Sequence, residues 1–210
     1  MIDTRIRILW DTNVFVQALL FGQEQLIDYL DKLILQQQNN LINLVIPKAV
    51  QAEFYGVMRA GRLDLDIDGV KHKKVQLTHN QIAFLLEPYF DTVFNPDFIR
   101  SLNQLDWPLG IAYKDVLHQI IITEYNWHDL GKSVIERRLG KSVEYLGLND
   151  PFDYPIMAAA LVQGVELIVT ANMQDFSDPL GSIRIMKSHD ACKFDHFSLQ
   201  INPSSYNPPI

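Results

Sequence analysis

The sequence predicts an α/β fold in which a parallel sheet of about five strands is covered by helices on both faces. Two observations lead there. Short β-rich apolar runs alternate with longer segments of helical periodicity, the pattern of a sheet whose strands are joined by helical crossovers. The 210 residues are 48% hydrophobic, enough for one well-covered core, so a single domain over 1–210 is expected.

The elements follow in order. "IRILW" (6–10) is short, apolar and β-rich and reads as the first strand. From Val14 the pattern turns helical, first in "VFVQALLF" and then in "EQLIDYLDKLILQQQ". There Leu26, Ile27, Leu30, Leu33 and Ile34 recur at spacings of three and four. "LINLVIP" (41–47) is a second strand stopped by its proline, and "KAVQAEFYGVMRAG" is a helix closed by Gly61. The polar stretch 62–141 reads as a mostly helical elaboration. It holds "THNQIAFLLEPYF", opened by a Thr78 cap, the amphipathic "YKDVLHQIIITEYN", and "KHKK" (71–74) as a turn. "SVEYLGL" (142–148) is assigned as a strand, "DYPIMAAALVQG" as a helix ending at Gly164, and "VELIVT" and "SIRIMK" as the last two strands. The tail "NPSSYNPPI" has the composition of a loose end.

Composition narrows the function classes. No apolar run is long enough to span a bilayer, and the N-terminus lacks a basic region followed by an apolar core, so a soluble cytoplasmic protein with no membrane partner is expected. The lone Cys192 excludes an intrachain disulfide and fits a reducing compartment. A net charge of −7 argues against non-specific duplex binding, which works by neutralising phosphates.

Acids fall where such a fold binds ligands, at the carboxyl ends of its strands. Asp11 follows the first strand, Glu53 lies in the helix after the second, Asp150 and Asp153 open a later helix, and Asp175 follows "VELIVT". Each has a plain structural reading. Asp11 caps the helix that follows, Glu53 is a solvated helix acid, Asp150 caps ahead of Pro151, and Asp175 sits in a turn. Taken together, four segments bring carboxylates toward one sheet edge. That is the arrangement that binds hard divalent cations and hydrolyses phosphodiesters.

The blocks "WDTNVF" (10–15), "IPKAVQAEF" (46–54), "DPFDYPIMAAALVQG" (150–164) and "IVTANMQDF" (168–176) resemble the PIN-domain nucleases in order and local chemistry. The resemblance implies a PIN-like three-layer fold and a metal-dependent endoribonuclease acting on single-stranded RNA. It implies that Asp11, Glu53, Asp153 and Asp175 bind Mg²⁺ or Mn²⁺. Asn13, Thr170, Asn172 and Asp150 would orient these carboxylates and water. It also implies two possible protein partners, an antitoxin-like inhibitor and a second copy in a homodimer. Two departures stand out: Asn172 where many relatives carry an aspartate, and a stretch between Glu53 and Asp150 longer than in compact toxin-type members. With the acidic net charge, both motivate a second reading, a catalytically weakened module that binds RNA or a protein.

Other signals carry less. "LGKSV" occurs twice, but neither copy has the earlier glycine of a phosphate-binding loop. Lys132, Arg137, Arg138 and Lys141 form a local basic excess that would suit an RNA backbone or a solvated helix face. His189, Cys192 and His196 have zinc-like spacing without a second cysteine. Tyr89, Phe90 and Phe94 read as packing residues. A haloacid-dehalogenase-type phosphatase would need an aspartate where Asn13 stands.

Overall fold

The computed structural model describes residues 5–59, 63–67, 70–104, 127–148, 150–173, 176 and 179–193. Its sheet has four strands, β1 (Ile6–Trp10), β2 (Ile42–Val45), β5 (Leu167–Thr170) and β6 (Arg184–Lys187), in the order β2-β1-β5-β6, all parallel. Successive strand residues point to opposite faces. Ile8, Leu9 and Trp10 of β1 and Ile168, Val169 and Thr170 of β5 are all fully buried, so both faces are covered. That double covering is why these strands read as continuous apolar runs.

Helices supply the cover. After β1 comes a short α1 (Thr12–Phe15) that widens into a π-helical turn (Val16–Leu20), where Phe21 N–H reaches Val16 O at 3.1 Å. α2 (Glu24–Gln38) buries Leu26, Tyr29, Leu30 and Leu33 on one stripe. It stops at Asn40, whose left-handed φ of 58° lets Leu41 N–H and Asn40 N–H close back onto Gln36 O and Gln37 O. α3 (Lys48–Arg59) follows β2. Trp10 stacks on Tyr29 at 5.6 Å, and Phe15, Phe54 and Phe94 meet one another at 5.2–5.8 Å, tying β1, α1, α2 and α3 into one core. Phe94 is buried and Tyr89 and Phe90 pack against that core.

The elaboration opens on an antiparallel hairpin, β3 (Leu63–Ile67) and β4 (Val70–Val75), rather than on a helix. "KHKK" therefore lies in a strand and not in a turn: Lys71 pairs with Asp66 and His72 with Leu65. Its run of charges masked an extended backbone that the alternation in "LDLDI" does signal. α4 (His79–Leu86) begins with the expected Thr78 cap, which Gln81 completes by accepting Thr78 N–H at 2.8 Å. α5 (Pro96–Leu102) and α6 (Trp127–Leu139) follow. Gly61, the segment "YKDVLHQIIITEYN" and the tail lie outside the described residues.

Residues 142–148 form turns, not a strand, so the sheet has four strands among the described residues rather than about five. Ser142 Oγ accepts Tyr145 N–H, Leu148 N–H bonds Val143 O, and Gly147 takes φ +72°. These local bonds replace a ladder. Asp150 then caps a 3₁₀ turn (Pro151–Asp153) that leads into α7 (Tyr154–Gln163), closed by Gly164 at φ +64°. Tyr154 is helical (φ −58°, ψ −44°) although it precedes Pro155, which stands in the first turn of α7, where a missing N–H costs nothing. α8 (Ser188–Ala191) follows β6. Among the described residues no helix is long and apolar enough to cross a membrane.

Candidate functional site

The chain order fixes where a ligand would sit. From β1 the chain crosses to β2 on one side, and β5 later joins on the other, so the order reverses between β1 and β5. Parallel α/β sheets bind ligands outside the carboxyl ends at this switch point. Asp11 and Thr170 stand there, one at each strand end.

Asp11 is held firmly. Its N–H continues the β1–β5 ladder to Val169 O at 3.0 Å, and the residue is 4% exposed. Oδ1 accepts Thr12 N–H at 2.7 Å, the helix-capping bond expected of it. Oδ2 accepts Asn13 Nδ2 at 2.6 Å and Thr170 Oγ1 at 2.8 Å. Asn13 is oriented in turn, because its Oδ1 accepts Ala171 N–H at 2.7 Å. Thr170 Oγ1 also accepts Asn172 N–H at 3.1 Å. Two side chains, Asn13 close by in sequence and Thr170 from the far strand, thus form one network around a buried carboxylate. Hydrogen bonds to a charged group contribute about 1.5–3 kcal/mol each.

Glu53 joins through a residue the sequence reading passed over. Thr12 Oγ1 donates to Glu53 Oε2 at 2.5 Å while Thr12 N–H serves Asp11, so one buried residue ties the two carboxylates together. The sequence hint was the hydroxyl inside "DTN" at a strand-to-helix turn, but its partner lies on α3 and only the fold reveals it.

The remaining acids divide. Asp150 acts as a cap, with Oδ1 accepting Phe152 N–H at 3.0 Å. Asp153 starts α7, half-buried and without a side-chain capping bond. Asp175 lies outside the described residues. Among the described residues no three His, Cys, Asp or Glu side chains gather closely enough to hold a metal. The pair tied by Thr12 is nevertheless of the right kind, since Mg²⁺ takes oxygen ligands, uses one or two carboxylates and keeps several waters.

The basic segment stands elsewhere. Leu139 at the end of α6 packs on Gly181, in the turn that leads into β6, so Arg137, Arg138 and Lys141 lie toward the amino edge of the sheet, opposite Asp11. All three are exposed, and Lys141 sits 4.7 Å over the Tyr145 ring. Lys132 bonds Glu144 at 2.9 Å. Of the zinc-like trio, His196 lies outside the described residues, and burial pushes the Cys192 thiol up, away from the thiolate a metal needs. An apolar groove of 260 Å³ between α3, α6 and α7 is lined by no carboxylate among the described residues.

No protein-family model, no curated protein and no solved structure matches this chain.

Proposed function

We propose that the chain is a metal-dependent endoribonuclease of PIN-like fold that hydrolyses phosphodiester bonds of single-stranded RNA, with Asp11, Glu53, Asp153 and Asp175 as its acidic residues. One observation carries this reading: the buried Asp11 carboxylate, at the switch point of the sheet, is gripped by donors from α1 and β5 and linked through Thr12 to Glu53. A helix cap alone needs one oxygen and one backbone N–H. It gives no reason for Thr170 to reach across from β5 or for a second carboxylate to share Thr12.

In this reading Asp11 and Glu53 hold Mg²⁺ or Mn²⁺, with Asp153 and Asp175 completing the set. The bound ion supplies a Lewis acid that eases loss of a proton from water and offsets charge building on the phosphate. Asn13 and Thr170 keep the Asp11 oxygens aimed, which spares the site reorganisation during reaction. Thr12 holds Glu53 at a fixed distance from Asp11.

Incubation of end-labelled single-stranded RNA with EDTA, Mg²⁺ or Mn²⁺ tests the reading. The wild type should cleave only with metal, and Asp11→Asn should abolish cleavage. Because that variant turns an amide N–H₂ toward Asn13, Glu53→Gln serves beside it: it keeps an oxygen for Thr12 and should lose cleavage while keeping the wild-type melting curve. Undiminished cleavage by both variants overturns the proposal. The second reading, a module that binds RNA or a protein without turnover, is favoured by Asn172, an uncharged amide beside Thr170, and by the net charge of −7. It requires metal-independent binding that survives Asp11→Asn.

A further inference from the structure

We infer that the polar cleft between the π-helical turn, the start of α2 and the end of β6 is a nucleobase subsite, taking one base of a single strand whose backbone passes Asp11. That the polymer is RNA rests on the nuclease reading above. The cleft has a volume of 150 Å³ and is lined by Gln17, Gln23, Gln25, Lys187, Ser188 and His189, with Leu26 giving it an apolar patch. This is too small for a drug-sized ligand and of the scale of a single flat ring.

Its position ties it to the carboxylates. Ala171 forms part of the wall, and its N–H holds Asn13, which in turn holds Asp11. A group in the cleft is therefore one residue away from the network at the switch point.

Its chemistry is that of base readout. A glutamine amide offers a donor and an acceptor in one plane, the complement of a base edge, and three glutamines, Gln17, Gln23 and Gln25, are among the residues of this wall. Ser188 Oγ lies 3.4 Å from Gln17 Oε1, which engages the oxygen and leaves the amide N–H₂ to a ligand. Charge agrees. In a chain of net charge −7, no carboxylate among the described residues lines this cleft, and Lys187 stands in its wall. An adjoining groove of 310 Å³ shares Gln25 and Cys192 with it and, among the described residues, carries Lys32 and Lys193 against Asp28. The two together give a path in which a base enters the amide-lined cleft and the next phosphates meet lysines.

The test is fluorescence anisotropy in EDTA, where no cleavage intrudes, with short labelled homopolymers of adenylate, cytidylate and uridylate. The wild type should prefer one by about fivefold or more. Gln17→Leu and the exposed Gln25→Leu, each checked by thermal melting, should level the three to within about twofold. Lys187→Ala should instead weaken all three by a common factor and reduce the salt dependence. Equal wild-type affinities, a preference that survives both leucine variants, or no binding of any homopolymer overturns the subsite. The two proposals fail separately. Metal-dependent cleavage without base preference removes the subsite and leaves the nuclease, whereas base preference without metal-dependent cleavage does the reverse.

Discussion

Replacing Thr170 with valine isolates the grip on Asp11, because the two side chains are nearly the same shape and differ in one hydroxyl. Thr170 is fully buried, so the substitution opens no cavity and exposes nothing. It removes the donor to Asp11 Oδ2 at 2.8 Å and the acceptor that Asn172 N–H uses at 3.1 Å. A hydrogen bond to a charged group contributes about 1.5–3 kcal/mol, and the exposed Asn172 adds no burial penalty, so the expected loss is about 2 kcal/mol. In a chain of this size each kcal/mol moves the thermal midpoint by about 2–4 °C, which gives a fall of about 4–8 °C. Differential scanning calorimetry reads the shift, with Thr170→Ser as the control: it keeps the hydroxyl, gives up one methyl and should fall by less than half as much. Under the nuclease reading Thr170→Val also loses about 10- to 100-fold in metal-supported cleavage, because the carboxylate is no longer aimed. A valine variant that melts within about 2 °C of the wild type, or below the serine variant's loss, would show that Asp11 does not depend on this hydroxyl.

Two further outcomes follow from contacts elsewhere. Gly131→Ala places a methyl 2.8 Å from the Tyr154 carbonyl carbon and 2.9 Å from its oxygen, both backbone atoms that cannot step aside, so α6 and α7 must part. Despite alanine's better helix propensity, urea denaturation should show a net loss of about 1–3 kcal/mol. In the exposed Lys132–Glu144 pair, the Lys132 hydrogen bond holds the Glu144 carboxyl down to about 2, so its stabilising contribution is present above the ordinary carboxylate value and is lost as pH falls toward about 2. NMR titration of Lys132→Met should return Glu144 toward the ordinary range with no resolvable change in melting at neutral pH, as expected of a solvated pair.

Local chemistry was legible where a residue's partner lies within a turn of chain. Thr78 with Gln81, and Asp150 ahead of Pro151, both cap as their sequences suggest. The strand ends were legible for the same reason, since an apolar run that stops at Asp11 marks the carboxyl edge without help from the rest of the fold. Residues 142–148 show the limit: Val143 and Leu148 are buried like strand residues, yet they bury against their own turn and α6, and a strand exists only if another is there to pair with it. The hairpin was hard to read because the charges of "KHKK" resemble a turn, and only the pairing with "LDLDI" makes it a strand. In the site, Asp11 could be named from sequence, but the Thr12–Glu53 link spans forty-one positions and depends on how α1 and α3 pack. The basic segment was visible as charge. Its distance from Asp11 follows from Leu139 meeting Gly181, a contact between two unremarkable residues.

The π-helical turn at Val16–Leu20 acts as a phase correction. In an α-helix each residue advances the face by about 100°, so one residue accommodated in a wider turn resets the direction of everything downstream by that amount. Thr12 and Asn13 ahead of the wide turn face the strand ends, while Gln17 within it meets Ser188 at the cleft. The turn closes through Phe21 N–H on Val16 O and Gln23 N–H on Gln17 O, spans of five and six residues. A residue added or removed between Val16 and Gln23 would break these closures and swing α2 relative to the cleft, so chain length there is as exacting as residue identity.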